Sequence, residues 1–269
     1  MKTNGLFMGQ IGTGKTKAIE TLIRALRTLY GDSAFVGVIS MEPGIEDVLG
    51  HIPCSEGLHW HYIRPLPLTW DQSMSFIKKM NIMGVKALAE TSDPNRTAYT
   101  GFFDVFETCK TFTCDRCGDL LGCVDDWDDR SALVMDGLSG LSRLCMQCLV
   151  GAKPFVSLPE YKAGQEAIEA LMNMCLPLKC SYIMLAHTDR EVIHETGAVL
   201  ITAHTVGNKL APKLTKMFSE VIITKRSEGP RPTFTWSNNE PGAETKSRRL
   251  PWSDKLEPDF GQFFKETQT

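Results

Sequence analysis

One octapeptide constrains this chain more than any other feature: "GQIGTGKT", Gly9 to Thr16, which fits G-x-x-x-x-G-K-[ST]. The pattern carries meaning only between a strand and a helix, and both are predicted. "GLFM" ahead of it is apolar and short enough for a buried strand. Behind it Ala18, Ile19, Leu22, Ile23, Leu26 and Leu29 recur at helical spacing, and Gly31 supplies a stop. In that setting the backbone N–H groups of Gly9, Gln10, Ile11, Gly12, Thr13 and Gly14 turn inward around phosphate oxygens, and the helix N-terminus adds its positive dipole end. Lys15 is expected to reach the β- and γ-phosphates, and the Thr16 hydroxyl to ligate Mg²⁺. ATP and Mg²⁺ are the expected cofactors.

The magnesium needs a partner carboxylate, and "SALVMD" supplies one. It reads as a short apolar strand that delivers Asp136 to the carboxyl edge of a parallel sheet. "AFVGVISMEPG" reads as another buried strand, Ala34 to Ser40, bringing Glu42 to the same edge. Ligands of such sheets gather there, so Glu42 is expected to orient the attacking water rather than sit in a solvated loop.

Bulk properties narrow the class further. With 42% apolar and 23% charged residues over 269 positions, the chain is globular, and length alone leaves one large or two small domains open. A net charge of −3 gives no general attraction to nucleic acid. Between Val206 and Lys255, however, ten Lys or Arg face five Asp or Glu, giving +5 and leaving −8 to the rest. That asymmetry suits a phosphate-contacting face, with a solvated charge run as the bland alternative. No apolar run approaches the roughly 18 residues of a membrane span, and the N-terminus lacks the apolar core of a signal peptide. A cytoplasmic protein is expected, with its nine cysteines reduced or bound to metal.

"SYIMLAHTDREVIHETGAVLITAHTVGNKLAPKLTKMFSEVIITKRSEG", Ser181 to Gly229, resembles the corresponding part of the RecA-like recombinases. A strand, Tyr182 to Ala186, ends at a polar sensor position, His187. A loop, Asp189 to Val206, precedes "GNKL", Gly207 to Leu210, and a further strand, Val221 to Thr224. The order of phosphate loop, post-strand glutamate, strand with Asp136, then sensor strand is RecA-like too. More closely, the chain resembles phage-encoded RecA-like ATPases of the single-strand annealing and recombination type, which lack RecA's extra N-terminal domain. The likeness spans residues 5 to about 250.

The resemblance implies an α/β RecA-like core, a mostly parallel sheet flanked by helices. It implies DNA-stimulated ATP hydrolysis, with Lys15, Glu42 and His187 as the catalytic set. It also implies single-stranded DNA as partner, with Arg190, His194 and Lys209 as candidate contacts, and self-assembly into a ring or filament. Phage recombination or replication proteins would be further partners, in the host cytoplasm. Lys246, Arg248 and Arg249 would be candidates for a finger reaching a neighbouring subunit's γ-phosphate. RecA has a glutamine where His187 stands, so a titratable ring would do the sensing here. "EVIHETGAVLITAH" alternates like a β-hairpin around Glu195-Thr196-Gly197, either a finger touching DNA or a hairpin completing the sheet. Two other functions stay open: an ATP-dependent switch or loader acting on a protein partner, and a P-loop kinase, for which no arginine-dense lid is evident.

Two Cys-x-x-Cys pairs bracket the Asp136 strand: Cys114 with Cys117, and Cys145 with Cys148. Together they would form the Cys₄ set of a structural zinc. "LSRLCMQCLV" reads as helix, and "TFTCDRCGD" as a turn with Gly118 placed as in a zinc knuckle. The alternative treats all four as ordinary thiols. Cys123 is a substitute ligand, while Cys54, Cys109, Cys175 and Cys180 read as core or surface thiols. "HWHY", His59 to Tyr62, reads as an edge strand rather than a His-x-His metal site.

The expected organisation is a single ATPase domain over 1–269, with a cysteine-rich insertion at 110–150 and a tail at 240–269. Helices are expected from "TWDQ" (Thr69 to Gln72) through the late eighties, over Ala98 to Cys109, and over "QEAIEALMNMCLPL", stopped at Pro177. Trp252, Phe260, Phe263 and Phe264 would dock on the chain's own core or on a neighbour.

Overall fold

The computed structural model describes residues 2–64, 69–71, 74, 78, 99–151, 156–192, 197–207 and 209–265. Most of the helix expected from Thr69 onward, and His194, lie outside these residues. Among the described residues the main sheet has seven strands in the order β11-β10-β1-β7-β6-β2-β3. These are β1 (Asn4–Gly9), β2 (Phe35–Ser40), β3 (Leu58–Tyr62), β6 (Ser131–Asp136), β7 (Ser181–Ala186), β10 (Glu220–Arg226) and β11 (Phe234–Ser237). All neighbours run parallel except β10 and β11. The mostly parallel, helix-flanked α/β architecture expected from the sequence is therefore present.

Period-2 alternation explains why these runs became central strands. On β1, Leu6 and Met8 face one apolar layer and Phe7 the other; on β6, Leu133 and Met135 oppose Ala132 and Val134. Helices α4 (Leu138–Val150) and α5 (Leu158–Cys175) cover the first face, and α1 (Lys15–Tyr30) the second. The α5 start is a capping box between Ser157 and Glu160. Helices α2 (Ile45–Leu49), α3 (Gly101–Lys110) and α6 (Ala211–Met217) complete the elements named here.

Two open questions resolve. The C-terminal aromatics dock on the chain's own core: Phe260 and Phe263 pack against Phe7 with ring centroids 4.6 and 5.7 Å away, while Trp252 stays exposed. The hairpin exists as β8 (Thr188–Val192) and β9 (Val199–Ala203), but the two strands pair with each other in a separate sheet. It does not complete the main sheet.

The cysteine pairing differs from expectation. β4 (Phe112–Thr113) and β5 (Leu120–Gly122) form a small hairpin carrying Cys114 and Cys117 beside β3. Cys145 is buried on α4, its Sγ donating to the Gly164 carbonyl of α5 at 3.6 Å. The apolar face of α4 is thus spent on α5, and Cys145 and Cys148 do not join Cys114 and Cys117 in one ligand set.

Candidate functional site

The carboxyl ends of β1, β2, β6 and β7 converge, and each delivers one polar group. After β1 the chain turns through Gly12 and Gly14, both in the left-handed region (φ 76° and 81°) that only glycine enters cheaply. This opens the loop so that α1 starts at Lys15. Lys15 Nζ donates to the carbonyls of Gly9 and Gln10 at 2.8 and 2.9 Å, and lies 3.5 Å from His187 Nδ1. Thr16 Oγ1 donates to Asp136 Oδ2 at 3.0 Å, joining the start of α1 to the end of β6. His187 Nε2 meets Glu42 Oε2 at 2.9 Å, tying the end of β7 to the turn after β2. A Lys15 donor on Nδ1 requires the tautomer with its proton on Nε2, which then donates to Glu42.

Burial makes this cluster electrostatically tense. Desolvation pushes the Asp136 carboxyl up to about 6, against the Thr16 hydrogen bond, and the nearby Glu42 charge adds to the rise. Burial likewise pulls the Lys15 ammonium down to about 8, partly offset by Asp136 and Glu42. Glu42 moves the other way: the His187 hydrogen bond holds it below the ordinary glutamate value despite partial burial. The arrangement offers an ammonium, a hydroxyl and a carboxylate suited to phosphate and Mg²⁺, with a second, ionised carboxylate alongside.

The structure thus brings together Lys15, Thr16, Glu42, Asp136 and His187, with the loop from Gly9 to Gly14. It places the other candidates elsewhere. Arg190 lies on exposed β8 and helps line a cleft of about 540 Å³ with Gly9, Gln10, Ile11 and Arg226. Lys209 is exposed ahead of α6. Lys246, Arg248 and Arg249 sit by the amino-terminal end of β10, where Lys246 bridges Val221, away from the phosphate loop.

Sequence reasoning missed several neighbours. Thr224 at the end of β10 shares a 2.7 Å hydrogen bond with Thr13 and so braces the phosphate loop. The partly exposed Phe234 ring lies against Gly14, where an added Cβ would meet it at 3.3 Å. Neither residue has a motif; the β1–β10 pairing sets Thr224 beside Gly9, and the β10–β11 pairing brings in Phe234. Cys54 and His59 were also missed. They stand with Cys114 and Cys117, whereas Cys123, Cys145 and Cys148 lie outside that cluster.

Fold and site define an α/β protein with a P-loop sequence between strand and helix. The chain matches no protein-family model and no curated protein sequence. Among solved structures it is similar to a KaiC-like protein from the hyperthermophilic archaeon Pyrococcus horikoshii, at 14% identity and a TM-score of 0.39. That match covers 93% of this chain and 83% of the other. Among the described residues no helix is long and apolar enough to cross a membrane.

Proposed function

We propose that the chain is a RecA-like ATPase that couples ATP hydrolysis to single-stranded DNA in phage recombination or replication, within the host cytoplasm. The observation that carries the hydrolytic part is the convergence of Lys15, Thr16, Asp136, Glu42 and His187 on one sheet edge. Lys15 and the loop N–H groups hold the phosphates, and Thr16 with Asp136 holds Mg²⁺. The metal would neutralise charge developing on the phosphoryl oxygens. Glu42, kept ionised by His187, orients water at the γ-phosphate.

The ring of His187 links Glu42 to Lys15 and stands directly ahead of β8. When Lys15 turns to a γ-phosphate it releases His187, and the hairpin responds. Glu42→Gln is expected to retain ATP binding while lowering turnover by about 10²-fold or more. Single-turnover kinetics with a nucleotide-affinity titration would check this. A variant with near-normal turnover removes Glu42 from the mechanism.

DNA contact rests on the cleft beside the phosphate loop, which Arg190 and Arg226 help line, and on the basic balance of residues 206–255. Steady-state hydrolysis should therefore rise several-fold on adding single-stranded DNA, and the gain should shrink with salt. A rate indifferent to DNA would favour the second reading, an ATP-driven switch on a protein partner. The hairpin supports that alternative: Asp189 and Glu191 flank Arg190, and Val192 and Val199 are about half exposed. For a subunit-bridging finger in a ring or filament, Arg248 is the best placed. It is exposed, whereas Arg249 binds the carbonyls of Phe263 and Lys2, and Lys246 that of Lys216.

A further inference from the structure

β3 lies at the opposite end of the main sheet from β11, and the β4–β5 hairpin folds over it. Asp115 N donates to the Trp60 carbonyl at 2.9 Å, and Tyr62 N donates to Asp115 Oδ2 at 2.7 Å. The turn between β4 and β5 brings Cys114 and Cys117 to Cys54, which precedes β3, and to His59 on it. The ligand atoms of all four lie within 4.8 Å of one another. We infer that Cys54, His59, Cys114 and Cys117 hold a structural zinc ion that staples the hairpin to the edge of the sheet.

The distances suit a tetrahedron. With Zn–S near 2.3 Å and Zn–N near 2.0–2.1 Å, ligand sulfurs stand about 3.8 Å apart, and sulfur and nitrogen about 3.6 Å. Cys54 Sγ and Cys114 Sγ are 3.9 Å apart, and Cys117 Sγ is 3.5 Å from His59 Nδ1. A disulfide needs sulfurs about 2.05 Å apart, so the Cys54–Cys114 contact is not one. Ordinary thiol packing accounts for a buried sulfur, but not for three sulfurs converging with an imidazole nitrogen.

The surroundings also suit a metal. The turn carrying Cys114 and Cys117 is closed at its base as in a knuckle, with Cys114 N donating to the Asp119 carbonyl at 2.9 Å. Gly118 then takes φ 77°, and its N–H closes the turn on the Cys114 carbonyl at 2.9 Å. Arg116 Nε donates to Cys54 Sγ at 3.0 Å, and its guanidinium stacks on Trp60 at 4.0 Å. Three thiolates, a neutral imidazole and Zn²⁺ sum to −1, and Arg116 supplies the balancing charge. Four protein ligands leave no open position, so the ion is structural rather than catalytic. It sits where an exposed strand edge otherwise invites pairing with another chain.

The test is metal analysis of the reduced, purified protein after zinc reconstitution, followed by cobalt substitution. One tightly held zinc per chain is expected, and a tetrahedral cobalt spectrum with thiolate charge-transfer bands. Cys114→Ser and His59→Ala should lose the metal, whereas Cys145→Ser and Cys148→Ser should keep it. Because loss of zinc can unfold the hairpin, His59→Cys is the control. It should still bind cobalt, with charge-transfer intensity about a third higher for four thiolates in place of three. Protein that takes up neither zinc nor cobalt would overturn the assignment. So would metal retained in both Cys114→Ser and His59→Ala, or lost in Cys145→Ser.

Discussion

Lys15→Ala is expected to bring steady-state ATP hydrolysis to background, a loss of at least ~10²-fold, because the ammonium is the positive charge closest to the transferring phosphoryl group. The same variant should fold. Lys15 is almost fully buried, and desolvation lowers it to about 8 from 10.5, so at pH 7 the fold carries a charge it would rather shed. By linkage, a base lowered by about 2.5 units costs roughly 3 kcal/mol wherever both states are protonated, below pH 8. That cost fades as the folded protein loses the proton first, between pH 8 and 10.5. Removing the side chain deletes this cost along with the bonds to Gly9 and Gln10, so the thermal midpoint at pH 7 should hold or rise. Melting curves beside a coupled ATPase assay check both halves. Turnover near the parent rate would show that the loop does not hold the hydrolysed phosphate.

Much of this site is legible in local sequence pattern. The phosphate loop dictates β1 and α1, because glycines, lysine and threonine at that spacing have a geometric reason to occur together. Asp136 and Glu42 follow from one rule, that polar residues ending buried parallel strands meet at a common edge, whereas His187 follows only from the RecA-like resemblance of the strand before it. Pairing across sequence distance is what local pattern cannot supply. The two Cys-x-x-Cys motifs resemble partners because they flank one strand, but α4 turns Cys145 into the α5 interface. Cys54 and His59 share no motif with Cys114. They meet it only because β3 becomes the edge strand and the hairpin folds over it. Phe234 and Thr224 reach the phosphate loop through the β10 register, which follows from sheet order and from no spacing along the chain.

Asp136→Asn should separate stability from function. The carboxyl is fully buried and raised to about 6 from 3.8, first by desolvation and then by the Glu42 charge, with Thr16 working against the shift. For an acid raised on folding, its favourable contribution is fully present below pH 3.8 and is lost as pH climbs through about 6. Above that the ionised side chain costs about 3 kcal/mol relative to a neutral one. Asparagine is neutral throughout and still offers Thr16 an oxygen. The nucleotide-free variant should therefore be more stable than the parent at pH 7.5, by up to ~3 kcal/mol, and no more stable near pH 4. Adding ATP and Mg²⁺ should reverse the order, because a divalent cation neutralises a carboxylate and gains little from an amide. Hydrolysis by the variant should fall to a small fraction of the parent's. Chemical denaturation at the two pH values, with and without ATP and Mg²⁺, measures all of this; a stability difference indifferent to both would remove Asp136 from the metal site. The expected crossover has one physical origin. Burial disfavours the charged forms of both Lys15 and Asp136, and phosphate with its metal would offset both penalties.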